Sequence, residues 1–228
     1  MKNAKHIRKV FFFFFLLVTC KVFSQDPFIT TWQTTVSNES ITIPTFPSET
    51  YNYTVDWGDG SAPISGYTGD ATYAYTTPGT YTVSVTGDFP RIYFNNPSVS
   101  PAENSTKILT IEQWGDIQWS SMEGAFMGCS NLTGNFLDIP NLSNVTSTVE
   151  MFHGCENFNS DINNWDVSTV NTMASMFSRA RAFNQDLDNW NVGSVTDMGG
   201  MFVNARSFNG DISTWDCLLY TSPSPRDA

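Results

Sequence analysis

Residues 176–192 read MFSRARAFNQDLDNWNV. Two neighbours share the frame: 151–167, MFHGCENFNSDINNWDV, and 201–216, MFVNARSFNGDISTWD. Met-Phe recurs at 151, 176 and 201, and Phe-Asn at Phe158, Phe183 and Phe208. An Asp before Ile or Leu recurs at Asp161, Asp186 and Asp211, and a Trp at Trp165, Trp190 and Trp215. The period is 25 residues. A fixed period of this length marks a repeat protein in which each unit buries its apolar face against its neighbours. Such a molecule offers a long surface rather than a deep pocket, which moves the expected function from catalysis toward binding.

Inside one unit, Met173, Met176, Phe177 and Ala180 follow the i, i+3, i+4, i+7 spacing of one helix face. The spacing recurs as Met198, Met201, Phe202 and Ala205, and earlier as Met122, Ala125, Phe126 and Cys129. Thr172 and Asp197 stand where a helix N-cap would. Two turns of helix are unstable alone in water, so packing must hold them. Phe158 and Ile162, Phe183 and Leu187, and Phe208 and Ile212 are four apart, which places each pair on one face of a strand. One short strand and one short helix per unit predict an α/β leucine-rich-repeat-like solenoid over 108–216, a cap plus about four repeats.

The columns carry further expectations. Stacked Phe158, Phe183 and Phe208, and Trp165, Trp190 and Trp215, read as structural repeat positions. An exposed Trp ladder as a sugar platform is the alternative, but identity at every unit favours packing. Asn159, Asn184 and Asn209 suit a hydrogen-bonded ladder. Asp161, Asp186 and Asp211 would stack like charges about 5 Å apart. They need either backbone N–H donors or a cation, and calcium is the alternative to capping. Cys155 shares its column with Ala180 and Ala205, so a small buried thiol serves there. A bridge from Cys155 to Cys129, one rung away, is also open.

Residues 26–93 follow another grammar. Tyr51, Tyr53 and Val55 alternate onto one strand face, and so do Tyr81, Val83 and Val85. Asp56-Trp-Gly-Asp-Gly-Ser61 and Thr77-Pro-Gly-Thr80 supply turns. This predicts a small β-sandwich. Asp56 and Asp59 read as turn formers rather than calcium ligands. Residues 94–107 are rich in Asn, Ser and Pro and read as a linker.

The ends stand apart. Lys2, Lys5, Arg8 and Lys9 precede the apolar run Val10–Val18, and Val22 and Ser24 suit cleavage before Gln25. Residues 1–24 therefore read as a secretory signal, too short in its apolar core to span a bilayer. All 22 acidic residues lie outside it, so the exported chain is more acidic than the formal −11 of the full sequence. Such a surface repels phosphate backbones and argues against nucleic acid. The expected mature chain carries no membrane span. Residues 217–228, CLLYTSPSPRDA, leave the repeat frame and resemble a translated adapter from DNA library preparation. A sequencing scar is expected there, with the repeat continuing past Asp216.

Val55-Asp-Trp-Gly-Asp-Gly-Ser61, Thr72-Tyr-Ala-Tyr75 and Pro78-Gly-Thr-Tyr-Thr-Val83 resemble a PKD domain, which implies an immunoglobulin-like sandwich. The Met-Phe, Phe-Asn and Trp-Asp units resemble the repeat of BspA-like leucine-rich-repeat surface proteins. That resemblance implies an exported bacterial protein, secreted or at the cell surface, that binds an extracellular protein or glycan in adhesion. It brings no catalytic residues and no cofactor. His153 is the sole histidine after the leader, and no nucleophile elbow or phosphate loop is present in the sequence. An enzyme is therefore not expected. A structural spacer, or the accessory region of an exoenzyme whose catalytic domain lies elsewhere, are the alternatives. If the stack binds, Ser160, Gln185 and Gly210, or Asn163, Asp188 and Ser213, are the varying positions where a ligand would be read.

Overall fold

The computed structural model describes residues 25–95 and 102–215. The expected signal peptide, with Ser24 of its cleavage site, and the expected scar at 217–228 lie outside the described residues; Gln25 lies inside them.

Eight strands and one four-residue helix are arranged as β1 (Phe28–Thr34), β2 (Glu39–Ile43), β3 (Asn52–Asp56), β4 (Ile64–Tyr67), β5 (Ala71–Tyr75), β6 (Gly79–Asp88), α1 (Ala102–Ser105), β7 (Ile108–Gln113) and β8 (Thr133–Gly134). One sheet has the order β4-β3-β6-β1-β7-β8, and β2 pairs with β5 in a second. Alternation decides which side chains go in. Tyr53 and Val55 of β3 and Val83 and Val85 of β6 are buried, joined by Ile41, Ile43, Ala71 and Tyr75 of the smaller sheet. Val55 faces Val85 across an antiparallel pair.

The larger sheet does not stop at the N-terminal region. β7 pairs antiparallel with β1, Thr31 opposite Thr110, and β8 pairs parallel with β7. A single hydrophobic cluster then runs from Phe28 to Met201. The β-sandwich and the repeats therefore share one core.

The repeats form a stack of irregular coils: coil 1 (120–145), coil 2 (146–170), coil 3 (171–195) and coil 4 (196–215). The expected α/β solenoid with a helix and a strand in each unit is overturned. The Met-Phe segments are runs of turns, and α1, which lies before the repeats, is the only helix among the described residues. The segments from Phe158 to Ile162 and from Phe183 to Leu187 are not strands either. Regular pairing is confined to β8 and to isolated parallel bridges such as Ser147 to Thr172 and Thr172 to Asp197.

The backbone explains why. Each coil holds two residues at positive φ, four apart: Gly124 and Gly128, Glu150 and Gly154, Ser175 and Arg179, Gly200 and Asn204. A left-handed residue at every fourth position ends a helix before it completes a second turn. The amides then alternate between two kinds of partner. Those of Met176, Ser178 and Ala180 close three-residue turns onto Met173, Ser175 and Phe177. Those of Met173, Ser175, Phe177 and Arg179 donate instead to the carbonyls of Asp197, Gly199, Met201 and Val203 in the next coil, at 2.7–2.9 Å. The same four-rung ladder joins coil 1 to coil 2 and coil 2 to coil 3. The i, i+3, i+4, i+7 apolar spacing suits this turn ladder as well as it suits a helix, so it misled.

Candidate interaction surface

Two phenylalanine columns form the spine of the stack. Phe126, Phe152, Phe177 and Phe202 stack at 5.7–5.8 Å between centroids, nearly parallel. Phe158, Phe183 and Phe208 form the second column at 5.9–6.2 Å. Within a coil the two columns meet face to face, as Phe177 and Phe183 do at 4.0 Å. Phe94, from the segment leaving the sandwich, stacks on Phe126 at 6.4 Å and extends the spine back to Trp32. Sequence reasoning missed Phe94, because it lies outside the repeat frame. The Asn and Ser around it were the stronger local signal.

The tryptophans belong to this interior. Trp165 and Trp190 are buried, and Trp215, in the last coil, is half-buried. The indole N–H of Trp190 donates to the Ile162 carbonyl at 2.9 Å, and that of Trp215 to Leu187 at 2.9 Å. Trp190 and Trp215 stack at 6.3 Å. Trp165 instead meets Trp114 edge-on at 5.3 Å, and its buried N–H has no acceptor among the described residues. These rings fill space between coils and do not form an open sugar platform.

The asparagine ladder is present. Asn159 Oδ1 accepts the Asn184 amide, and Asn184 Oδ1 accepts that of Asn209, both at 2.7 Å. The aspartate column also serves the backbone. Asp161 accepts from the Asn163 amide, Asp186 from the Asp211 amide, and Asp211 from the Ser213 amide, at 2.8–3.0 Å. The Ser213 donors hold the Asp211 carboxyl below its usual range. Among the described residues no group of three or more His, Cys, Asp and Glu is placed to hold a metal ion. In the sandwich, Asp56 and Asp59 accept the amides of Gly58 and Ser61, and the Tyr73 hydroxyl adds a 2.7 Å bond to Asp59. Ser61 and Tyr73 draw the Asp59 pKa down to about 2.

Cys129 and Cys155 are free, buried thiols. The Cys155 thiol donates to the Phe126 carbonyl at 3.0 Å, and burial pushes both pKa values up. His153 is half-buried. Burial lowers its pKa against the pull of Glu150.

The varying positions singled out as a reading surface are largely committed to the stack. Ser160 donates to Gly134, Gln185 to Asn159, and Asn163 to Asp188. A Cβ at Gly210 would fall 2.0 Å from the Gln185 carbonyl oxygen, so that position is set by close approach between coils. A more exposed varying column lies on another edge. Glu156, Arg181 and Arg206 share one column beside Arg179 and Asn204, and all but the half-buried Glu156 are exposed. The backbone bond from Ser207 to the Arg181 carbonyl places Arg181 beside the Arg206 turn. Arg181 pairs with Glu156 at 3.1 Å. Three of the five basic residues in the described region stand on this edge of an acidic molecule.

Together these features define a class: a repeat protein of stacked turns whose first coil is continuous with a β-sandwich. Residues 120–222 match the family model described as Mycoplasma protein of unknown function, DUF285. The match begins where coil 1 begins and takes in all four coils. No curated protein and no solved structure matches the chain. Among the described residues no helix is long and apolar enough to cross a membrane.

Proposed function

We propose that this chain is an exported bacterial surface protein of the BspA-like kind, with a PKD-like sandwich, that binds an extracellular protein or glycan. The match of the coils to the DUF285 model supports the repeat side of that reading. One observation carries the binding side. The inward columns repeat the same residues, while the outward column of Glu156, Arg181 and Arg206 changes its charge along the stack. A pure spacer needs no such change, whereas a surface that reads a partner does. The arginine edge is the place of contact in this account. Arg presents a planar fork of donors suited to carboxylate or sulfate groups, and it lies in a molecule otherwise rich in acid.

The test is binding of the full chain to arrays of extracellular-matrix proteins and of glycans, repeated with an Arg179→Glu/Arg181→Glu/Arg206→Glu variant. Specific capture that falls at least about tenfold in the variant supports the reading. Capture that is indifferent to the variant places the contact elsewhere, and no specific capture at all favours a spacer.

A further inference from the structure

The two sheets have four edges, and three of them are blunted. β4 carries Gly66 at φ 85° and pairs with β3 through a register shift between Tyr53 and Thr54. Such an irregularity bends an edge away from further pairing. β8 is covered by coil 2, whose Ser160 hydroxyl donates to the Gly134 carbonyl. β2 is closed by side chains. Asn104 accepts from the Thr42 amide and donates to the Thr42 carbonyl, both at 2.9 Å, and Lys107 donates to the Ser40 carbonyl at 2.9 Å.

Those bonds also orient β5. In an antiparallel pair, opposed residues alternate between exchanging backbone bonds and turning them away from each other. Ser40 and Thr42 turn theirs away from β5, so Ala74 and Thr72, which stand opposite them, turn theirs away from β2. The outer edge of β5 therefore presents the N–H and C=O of both residues, and among the described residues nothing bonds to them. β5 has no register shift, no Pro, no Gly and no charged side chain, the devices that blunt an edge. The side chains of Thr72 and Ala74 are exposed, and Tyr73 between them is half-buried. The ends of the described segments are held elsewhere: Gln25 on Gly87, Asn95 on Glu150, α1 on β2, and Trp215 on coil 3.

We propose that the free edge of β5 is a docking site for an extended, cationic segment of a partner protein, which adds to the smaller sheet as a third strand. Main-chain bonds to Thr72 and Ala74 hold it. Charge decides the occupant. Residues 26–90 contain seven Asp and Glu and no Lys, Arg or His. Asp59 is bonded to the Tyr73 hydroxyl, and Asp70 directly precedes β5. A second copy would bring this acidic region against itself, whereas Lys or Arg on an added strand complements it. The inference is independent of which partner the arginine edge meets.

The experiment titrates the full chain with a labelled peptide that alternates Lys and Val, and follows amide hydrogen exchange at Thr72 and Ala74. The expected result is saturable binding that slows exchange at both amides. Thr72→Pro removes an N–H that the β2 ladder does not use, and it weakens binding at least about tenfold. Ala74→Lys weakens it as well, by repulsion. Exchange at Tyr73, whose amide belongs to the β2 ladder, shows that each variant keeps the sheet. The same peptide N-methylated at every residue cannot form a ladder and does not bind, a result that needs no variant. The proposal is overturned if the Lys-Val peptide does not bind, or if its binding leaves exchange at Thr72 and Ala74 unchanged. It is overturned equally if the methylated peptide, or one that alternates Glu and Val, binds as well. Protection of Thr72 that grows with protein concentration in the absence of peptide would make a second copy the occupant and also overturn it.

Discussion

The amide of Phe177 donates to the carbonyl of Met201, 2.9 Å away in the next coil, and not to the carbonyl of Met173 four residues back. Met173 accepts instead from Met176, at 3.1 Å. That exchange of partners separates a stack of turns from a helix. It also means that the backbone of each coil is satisfied only when its neighbour is present.

The phenylalanine spine should dominate stability. Phe177 is fully buried and contacts Phe152, Phe183 and Phe202. Phe177→Ala should cost about 3–5 kcal/mol, as deletion of a buried ring does. Phe202→Ala, at the half-buried open end, should cost well under half as much. Chemical denaturation of both variants checks the order, and equal losses would contradict it.

Left-handed residues set the turns. Ser175 sits at φ 56° and Arg179 at φ 62°, where a side chain is strained. Ser175→Gly should therefore stabilise, by up to about 1 kcal/mol. Gly124→Ala should do the reverse. Its φ is 62°, and a Cβ there would lie 2.7 Å from the Asn95 Cβ. Thermal melts of the two variants should move in opposite directions.

The asparagine ladder is an acceptor ladder. Asn184 Oδ1 takes the Asn209 amide, so Asn184→Ala should lose about 0.5–1.5 kcal/mol. Asn184→Asp keeps the acceptor and should recover most of that loss near neutral pH. Equal loss in both variants would show that the amide's own N–H donors matter more than its oxygen.

Glu39 makes the sandwich acid-sensitive. Its carboxylate accepts from the Thr35 and Val36 amides and pairs with Lys107 at 2.9 Å. The Thr35 amide first, then Lys107, lower its pKa from 4.5 to about 2. A depressed folded pKa gives stability that is complete above the unfolded value and lost as pH falls through the folded one. The stability gap between the parent and Glu39→Gln should hold steady above pH 4.5 and close as pH falls toward 2. Denaturation at several pH values tests this, and a gap that persists at the acid end would contradict it.

Much of this molecule was legible in its residues. The 25-residue period, the Phe and Trp columns, the Asn ladder and the Asx turns at Asp56 and Asp59 all follow from side-chain identity and spacing. The helix did not, because apolar spacing is shared by a helix and by a turn ladder. The glycines at 124, 128, 154 and 200 were the local sign against it, since glycine inside two turns of helix is unfavourable. The pairing of β1 with β7 and the place of Phe94 in the spine depend on residues about 30–80 positions apart, and no local pattern reports such contacts. The reading surface moved for a similar reason. Ser160, Gln185 and Asn163 vary along the sequence, but only the stack reveals that their side chains are held by neighbouring coils.

The most direct test of the stacked-turn architecture is the set of backbone torsions measured by NMR at Glu150, Ser175, Arg179 and Asn204. Chemical shifts and HN–Hα couplings should place all four at positive φ, between segments of right-handed turn. An unbroken run of negative φ from Met173 to Ala180, with i to i−4 hydrogen bonds, would restore a helix to each unit and contradict the account.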